Sequence, residues 1–172
     1  MTDYKIVNTE EGDLAFSFWL FEEAIAYQTR KGYKVWNGYD KEILRSDVAN
    51  RLHYKVTDGQ HILCIFSVCY SDKIIWEERD RGDAVYLHRV VVNPNFKGHQ
   101  QFGKILNWAI EHAKEKKIKY VRMDTWADNP NIIAYYKSFG FNFIGNMITP
   151  DSEELAIQQR NLALALLEYP VN

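Results

Sequence analysis

Two stretches of the chain carry side chains that could do chemistry. The first, Phe96-Lys97-Gly98-His99-Gln100-Gln101-Phe102-Gly103, lies between an apolar strand-like run and an amphipathic helical run. At such a junction free backbone N–H groups and the positive end of the helix can hold a pyrophosphate, and Lys97 adds a full charge. The second runs Asp124-Thr125-Trp126-Ala127-Asp128-Asn129, then Tyr135-Tyr136, then Ser138-Phe139-Gly140-Phe141, and offers a carboxylate, an amide and a phenol in that order. His88 sits on the strand before the basic loop, and imidazole is the side chain whose ordinary pKa suits proton transfer near neutral pH. Tyr86 shares the face of His88 by the period of two and can extend a water relay from it.

Periodicity and punctuation predict the elements that must position these groups. Tyr4 to Val7 alternates as a short first strand, and Asp13 caps a helix from about Leu14 to Lys31 that Gly32 ends. Phe16, Phe18, Trp19, Phe21 and Tyr27 cover more than one face of that helix, so it should both pack on a sheet and line something. A second helix, Asp40 to Arg51, begins at a good cap and carries Ile43, Leu44 and Val48 on one side. Asp58-Gly59 joins His53 to Thr57 with His61 to Tyr70 as an antiparallel hairpin. A turn at residues 71–73, a short Ile74 to Trp76 piece and the charged loop Glu77 to Asp83 lead into a strand from Val85 to Val92, stopped by Pro94. Gln101 to Lys116 is an amphipathic helix with Ile105, Leu106, Trp108, Ala109 and Ala113 inward; as a crossover to the strand Tyr120 to Thr125 it implies a parallel pair. Asn129 caps a helix that starts at Pro130 and stops at Gly140. Phe141 to Gly145 starts another strand, Ser152 to Arg160 is polar and helix-prone, and Leu162 to Tyr169 closes the sheet.

The chain has 172 residues, which fits one domain, residues 1–172, burying roughly 70% of its unfolded surface. A net charge of −2 sets up no field for nucleic acid, and no apolar run reaches the ~18 residues of a membrane span. Cys64 and Cys69 fall on opposite faces of one strand and are not disulfide partners. With an N-terminus, MTDYKIVNTEEGD, that has no charged-then-apolar segment, this favours a reducing, cytoplasmic setting.

Over residues 85 to 145 the chain resembles the GCN5-related N-acetyltransferase (GNAT) superfamily. The V-x-P-x-[YF]-[RK]-G run is Val92-Asn93-Pro94-Asn95-Phe96-Lys97-Gly98, and the N-x-x-x-x-x-x-Y-x-x-x-G-F tail runs from Asn129 through Tyr136 to Gly140-Phe141. The resemblance implies an α/β (α+β) fold with a mixed, mostly antiparallel sheet of about seven strands flanked by helices, its fourth and fifth strands parallel and splayed. It implies acetyl-CoA as cosubstrate and no metal. Backbone groups of Val90, Val91 and Val92 would then bind the pantetheine arm, and Lys97, Gly98, His99, Gln100, Gln101, Phe102 and Gly103 the pyrophosphate. Asn129 would bond the cofactor arm and Tyr136 would lie near the CoA sulfur. The usual loop is [QR]-x-x-G-x-[GA]; an ungapped match, favoured by Ile105-Leu106 on the helix leucines, puts Gln100 and Phe102 where small residues stand. Phe102 is therefore expected to crowd the phosphate.

The acceptor implied is a primary amine of a small molecule or peptide, with no nucleic acid or membrane partner; homodimers are common in the superfamily. Acetyl transfer to an amine needs a neutral amine, a stabilised oxyanion and a proton for the leaving thiolate. A thiol's pKa of about 8.5 lies below tyrosine's of about 10, so neutral Tyr136 can donate to that sulfur; Tyr135, about 100° round the helix, belongs to the core. Two residues compete as base. Asp124 stands five before the motif asparagine, where ribosomal-protein N-terminal acetyltransferases carry a glutamate, and His88 stands where arylalkylamine-type members use histidine. A backbone N–H near Val91 or Val92, presented by a bulge, would serve the oxyanion. The loop Glu77 to Asp83 either attracts a cationic amine or is solvated surface, and Trp19, Trp36, Tyr39 and Trp76 either shape an acceptor pocket, with residues 150–160 as lid, or pack the core. The alternatives to an enzyme are a catalytically silent CoA-binding or sensing module and an interaction domain on the same fold; O-acetylation and longer acyl donors stay open.

Overall fold

The computed structural model describes residues 3–32 and 38–172, so Trp36 lies outside the described residues. In chain order the elements begin with β1 (Lys5–Asn8), α1 (Leu14–Arg30), α2 (Lys41–Ala49), β2 (His53–Thr57), β3 (Ile62–Cys69) and the single-turn α3 (Lys73–Trp76). They continue with β4 (Ala84–Val92), α4 (Gln101–Glu115), β5 (Tyr120–Trp126), α5 (Pro130–Lys137), β6 (Asn142–Ile148) and β7 (Ala163–Pro170). The sheet order is β1-β2-β3-β4-β5-β7-β6, with β4 and β5 parallel and the pairs β1–β2, β2–β3, β5–β7 and β7–β6 antiparallel. This is the mixed, mostly antiparallel sheet that the resemblance implies. The chain packs as two compact units, each assembled from several segments.

One unit holds Met1–Ser67, Arg89–Ile105 and Glu153–Gln159. Its core is Leu20, Phe21, Leu44, Ile65 and Val91, with Phe16, Phe18, Tyr39 and Ile62 packed against it. Burying each of the large side chains is worth about 1.5–3 kcal/mol, which is what holds α1 and α2 to the strands. Asp40 caps α2 as expected, its Oδ1 accepting from the N–H groups of Glu42 and Ile43 at 3.1 and 3.2 Å. Asp13 does not cap α1: its Oδ2 accepts from Glu10 N at 2.9 Å and from Lys55 Nζ at 2.6 Å. A buried-side ammonium is the stronger partner, so the carboxylate turns from the helix end toward it. Tyr39 stacks on Phe21 with centroids 5.2 Å apart and donates to Glu22 at 2.7 Å, while Trp19 is 38% exposed. Residues 152–160 form a single 3-10 turn, Ile157–Gln159, after the buried pair Leu155 and Ala156, in place of the expected helical piece.

The other unit holds Val68–His88, Leu106–Ser152 and Arg160–Asn172. The parallel ladder of β4 and β5 matches Ala84 with Tyr120, Val85 with Val121 and Tyr86 with Arg122, after which β5 keeps pairing with β7 as far as Trp126. Arg122 is 4% exposed and stays charged because Glu168, the Arg79 carbonyl and the Tyr86 hydroxyl receive its N–H groups at 2.8, 2.8 and 3.1 Å. Trp76 packs in this core, 4.8 Å from the Arg122 guanidinium and 1% exposed. The Ile74 to Trp76 piece is a helical turn. Trp108 was expected to face inward with its neighbours on α4, but is only half-buried and stacks on His112 at 4.6 Å.

Candidate active site

In the second unit β3, β4 and β5 bring four chemically capable side chains to one place. Cys69 is the last residue of β3 and Asp72 stands just before α3, so the turn Cys69-Tyr70-Ser71-Asp72 returns both side chains toward His88 on β4. Asp80 fixes that turn: its Oδ2 accepts from Asp72 N at 3.0 Å and Ser71 Oγ at 2.8 Å, and its Oδ1 accepts from Tyr86 at 2.7 Å. Burial works against the Asp80 charge, but the bonds from Tyr86, Ser71 and Asp72 outweigh it and hold its carboxyl below the usual value. Of the charged loop, Asp80 is thus committed inward, and Glu77 and Glu78 are exposed. The Tyr86 phenol is pushed up by burial and by its bond to Asp80, which keeps it a neutral donor.

His88 is 8% exposed, with Nε2 2.8 Å from Asp72 Oδ2 and Nδ1 3.7 Å from Asp124 Oδ2. Burial alone would favour the neutral ring, but the Cys69 sulfur and the Asp72 carboxylate overcome it, and the imidazole pKa is held well above 6.5. His88 and Asp124, read from the sequence as rival bases, are neighbours in one cluster. Asp72 and Cys69 were not foreseen; the signal available was a C-x-x-D spacing followed by a histidine on the next strand.

Asn129 and Tyr136 belong to α5. Asn129 caps the helix, its Oδ1 accepting from Ile132 N at 3.1 Å, with Pro130 at the first position. That use of the oxygen leaves the amide Nδ2 as a donor for a ligand carbonyl. Tyr136 is half-buried, and the Tyr135 ring lies 5.3 Å away. Tyr135 is not a core residue: it is 46% exposed and meets Phe139 edge-on, because α5 covers the sheet with only one of its faces. Gly140 has φ +103° and a side-chain carbon there would lie 3.0 Å from the Tyr169 ring, so the Gly-Phe pair ending the motif has a packing reason.

In the first unit, the end of β4 leads into the basic loop. Arg89 has φ +51°, a left-handed residue inside a strand, and its Nη2 donates to Asp47 Oδ2 at 2.6 Å while Ser67 Oγ donates to the same oxygen at 2.9 Å. This kink precedes Val90, Val91 and Val92, where the sequence reading required a bulge; Val91 is buried in the core and the two flanking valines are half-buried. Asn93 then ties the loop to β3, donating through N to Leu63 O at 2.9 Å and through Nδ2 to Ile62 O at 2.8 Å. Gly98 and Gln100 are both left-handed, at φ +79° and +52°, and nothing lies within 4 Å of where a Gly98 side-chain carbon would stand. Such a turn into a helix of 15 residues exposes backbone N–H groups with room for an anion, so the loop fits a pyrophosphate. Phe102 is 4% exposed, turned inward, and does not crowd the loop as expected. Gln101 braces it, donating to Phe96 O at 3.3 Å and accepting from Lys104 Nζ at 3.1 Å. The Lys97 ammonium sits 3.2 Å from the Tyr27 ring centroid, and the His99 ring lies 6.4 Å from that of Phe96.

Residues 73–141 match the family described as "Acetyltransferase (GNAT) family", a span that takes in His88, the basic loop, Asp124, Asn129 and Tyr136. The chain is 27% identical over 74 residues to the "Uncharacterized N-acetyltransferase YesJ" of Bacillus subtilis, covering 43% of this chain and 41% of that protein. It thus spans less than half the length of that curated relative. Among solved structures it is similar to a GNAT-family acetyltransferase from Listeria monocytogenes, with TM-score 0.80, 16% identity, and 97% and 94% of the two chains covered. It is also similar to yncA of Salmonella typhimurium, solved with acetyl-CoA, with TM-score 0.67, 17% identity, and 98% and 94% covered. Among the described residues no helix is long and apolar enough to cross a membrane.

Proposed function

We propose that the chain belongs to the GCN5-related N-acetyltransferase superfamily, whose model residues 73–141 match, and that residues 1–172 form one acetyltransferase domain that moves an acetyl group from acetyl-CoA to a primary amine of a small molecule or peptide. The observation that carries the reading is the buried His88 between the carboxylates of Asp72 and Asp124, with His88 and Asp124 inside the matched span.

Acetyl-CoA supplies the activated acyl group and a thiolate leaving group. The chain's part is to bind, orient and move protons. Backbone N–H groups from Gly98 to Gly103 and the charge of Lys97 hold the pyrophosphate, the backbone of Val90 to Val92 the pantetheine arm, and Asn129 Nδ2 a carbonyl of that arm. An N–H at Val91 or Val92 would serve the oxyanion. His88, coupled to Asp124, receives the proton of the incoming ammonium, directly or through water. The neighbouring carboxylates make this base stronger, bringing it closer to an alkylammonium of pKa about 10.4 while leaving less of it deprotonated at neutral pH. Tyr136 Oη donates to the departing sulfur. The free thiols of Cys64 and Cys69 suit a reducing, cytoplasmic compartment.

Thiol release from acetyl-CoA over a panel of polyamines, aminoglycosides, arylalkylamines, amino acids and peptides tests the reading, with calorimetry of acetyl-CoA binding beside it. Turnover with at least one amine class is expected. Binding without turnover on any acceptor would make the chain a CoA-sensing module, and absence of binding would leave only an interaction domain.

A further inference from the structure

The Cys69, Asp72 and His88 cluster has a composition that proton transfer does not require. The sulfur, a carboxylate oxygen and an imidazole nitrogen all lie within 4.8 Å of one another, with His88 buried and the other two half-buried. We propose that Cys69, Asp72 and His88 bind a divalent transition cation of the zinc class.

Four features support the site. The donors are one thiolate, one carboxylate and one imidazole, the mixed set that borderline-soft Zn²⁺ selects and that hard cations such as Mg²⁺ or Ca²⁺ do not. Their binding forms carry two negative charges, which balance a dication. The spacing suits a metal: Cys69 and Asp72 are separated by two residues on one turn, as paired zinc ligands are, and that turn is held by Asp80. The independent observation is on the far side of the histidine. A ligating imidazole commonly presents its second nitrogen to a carboxylate, and His88 has Asp124 Oδ2 3.7 Å from Nδ1 while Nε2 meets Asp72 Oδ2 at 2.8 Å.

Along its Asp72–His88 edge the cluster needs a small expansion. Tetrahedral zinc at about 2.0–2.2 Å from N and O and about 2.3 Å from S sets donor separations of roughly 3.3–3.6 Å. The 2.8 Å His88–Asp72 hydrogen bond must therefore open by about half an ångström, a side-chain movement, as the metal takes the place of the shared proton. With three protein ligands the fourth position stays open to water, and because a ligated His88 has no free ring nitrogen, the metal-loaded chain and the chain in which His88 acts as base are alternative states. The sequence reading expected no metal, as the resemblance implies; the histidine lies a whole strand away from the C-x-x-D turn, and only the sheet closes the set.

The test is a titration of the metal-stripped full chain with Co²⁺, followed by absorption and displaced with Zn²⁺, in the absence of acetyl-CoA so that it stands apart from acetyl transfer. One equivalent is expected to bind with a thiolate-to-cobalt charge-transfer band and the intense visible bands of a four-coordinate site. The wild-type spectrum alone decides the point: no binding, or binding without the thiolate band, overturns the site. Cys69→Ser is expected to abolish the band and weaken Zn²⁺ binding at least tenfold. Asp124→Asn, which leaves all three ligands in place, is expected to weaken it about 10–100-fold. Zn²⁺ binding unchanged in Cys69→Ser would overturn the assignment.

Discussion

His88 Nδ1 lies 3.7 Å from Asp124 Oδ2, so the two residues that the sequence offered as alternative bases share one electrostatic environment. Their protonation is coupled, and neither can be removed without changing the other. A base must be deprotonated to work, and against the opposing effect of burial the Cys69 sulfur and Asp72 hold His88 well above 6.5. The kcat/KM for amine acetylation should therefore rise with pH through an apparent pKa above that value. Asp124→Asn removes one carboxylate that favours the imidazolium, so this limb should move to lower pH, while His88→Gln should remove it and lower kcat/KM by about 10²–10⁴-fold. Pairing the substitutions should cost less than the product of the two single effects. Multiplicative effects with an unmoved limb would show that Asp124 does not act through His88.

Tyr136 should act on the departing sulfur and not on binding. Tyr136→Phe keeps the ring that packs 5.3 Å from Tyr135 and removes only the hydroxyl. A loss of kcat of about 10²-fold is expected, with acetyl-CoA affinity by calorimetry within about twofold of wild type. An equal fall in affinity would make the phenol a binding group.

His53 should make the fold sensitive to acid. Its ring is fully buried, with Nδ1 2.7 Å from Thr9 Oγ1 and no partner for Nε2 among the described residues. Burial pushes its pKa down to about 4, Asp47 working the other way. Between about 6.5 and 4 the unfolded chain takes up a proton that the folded chain refuses, so the stability present at pH 7 is lost as pH falls through that window. The loss across the whole window, from 6.5 to about 4, is about 3.5 kcal/mol at about 1.4 kcal/mol per pH unit. Urea unfolding at pH 7 and pH 4.5, compared with His53→Gln, measures it; an equally steep acid loss in the variant would assign the effect elsewhere.

The fold was legible where local chemistry decides structure. Asp40 at the start of α2, Pro130 and Gly140 at the two ends of the α5 segment, and the β2 span His53–Thr57 all stand where capping, turn and alternation rules put them. The rest depended on partners distant in the chain. Asp13 looked like a helix cap but is drawn to Lys55, and Phe102 looked like an obstruction until the start of α4 turned it inward. At the candidate site the types and order of His88, Asp124, Asn129 and Tyr136 were readable. That Asp72 and Cys69 close on His88 was not, since it follows from how β3 and β4 lie in the sheet.

Gly140 should tolerate no side chain. At φ +103° an alanine is strained, and its added carbon would meet Tyr169 Cε2 at 3.0 Å, beside Phe141, whose ring lies 5.6 Å from that of Tyr169. Gly140→Ala is expected to cost about 1–3 kcal/mol in chemical denaturation. A cost below about 0.5 kcal/mol would mean that the turn relaxes freely and that the glycine of the motif has no structural role here.

Arg89 sets a contest between backbone and side chain. Its φ of +51° inside β4 costs an L-residue about 1–2 kcal/mol, and the ion pair with Asp47, both side chains largely buried at 11% and 15% exposure, offsets that cost. Arg89→Ala loses the pair, leaves Asp47 with only the Ser67 hydroxyl among the partners described for its Oδ2, and keeps the strained backbone; a loss of about 3–5 kcal/mol is expected. Arg89→Gly loses the same pair but accepts a left-handed φ without strain. Glycine should therefore be the milder substitution by about 1 kcal/mol, the reverse of the order normal within a strand. The same kink immediately precedes Val90 to Val92, proposed above to bind the pantetheine arm, so Arg89→Gly should keep more acetyl transfer than Arg89→Ala when both are assayed at a temperature where each is folded. Alanine proving the milder change in both stability and turnover would show that the left-handed backbone at residue 89 is not what the ion pair maintains.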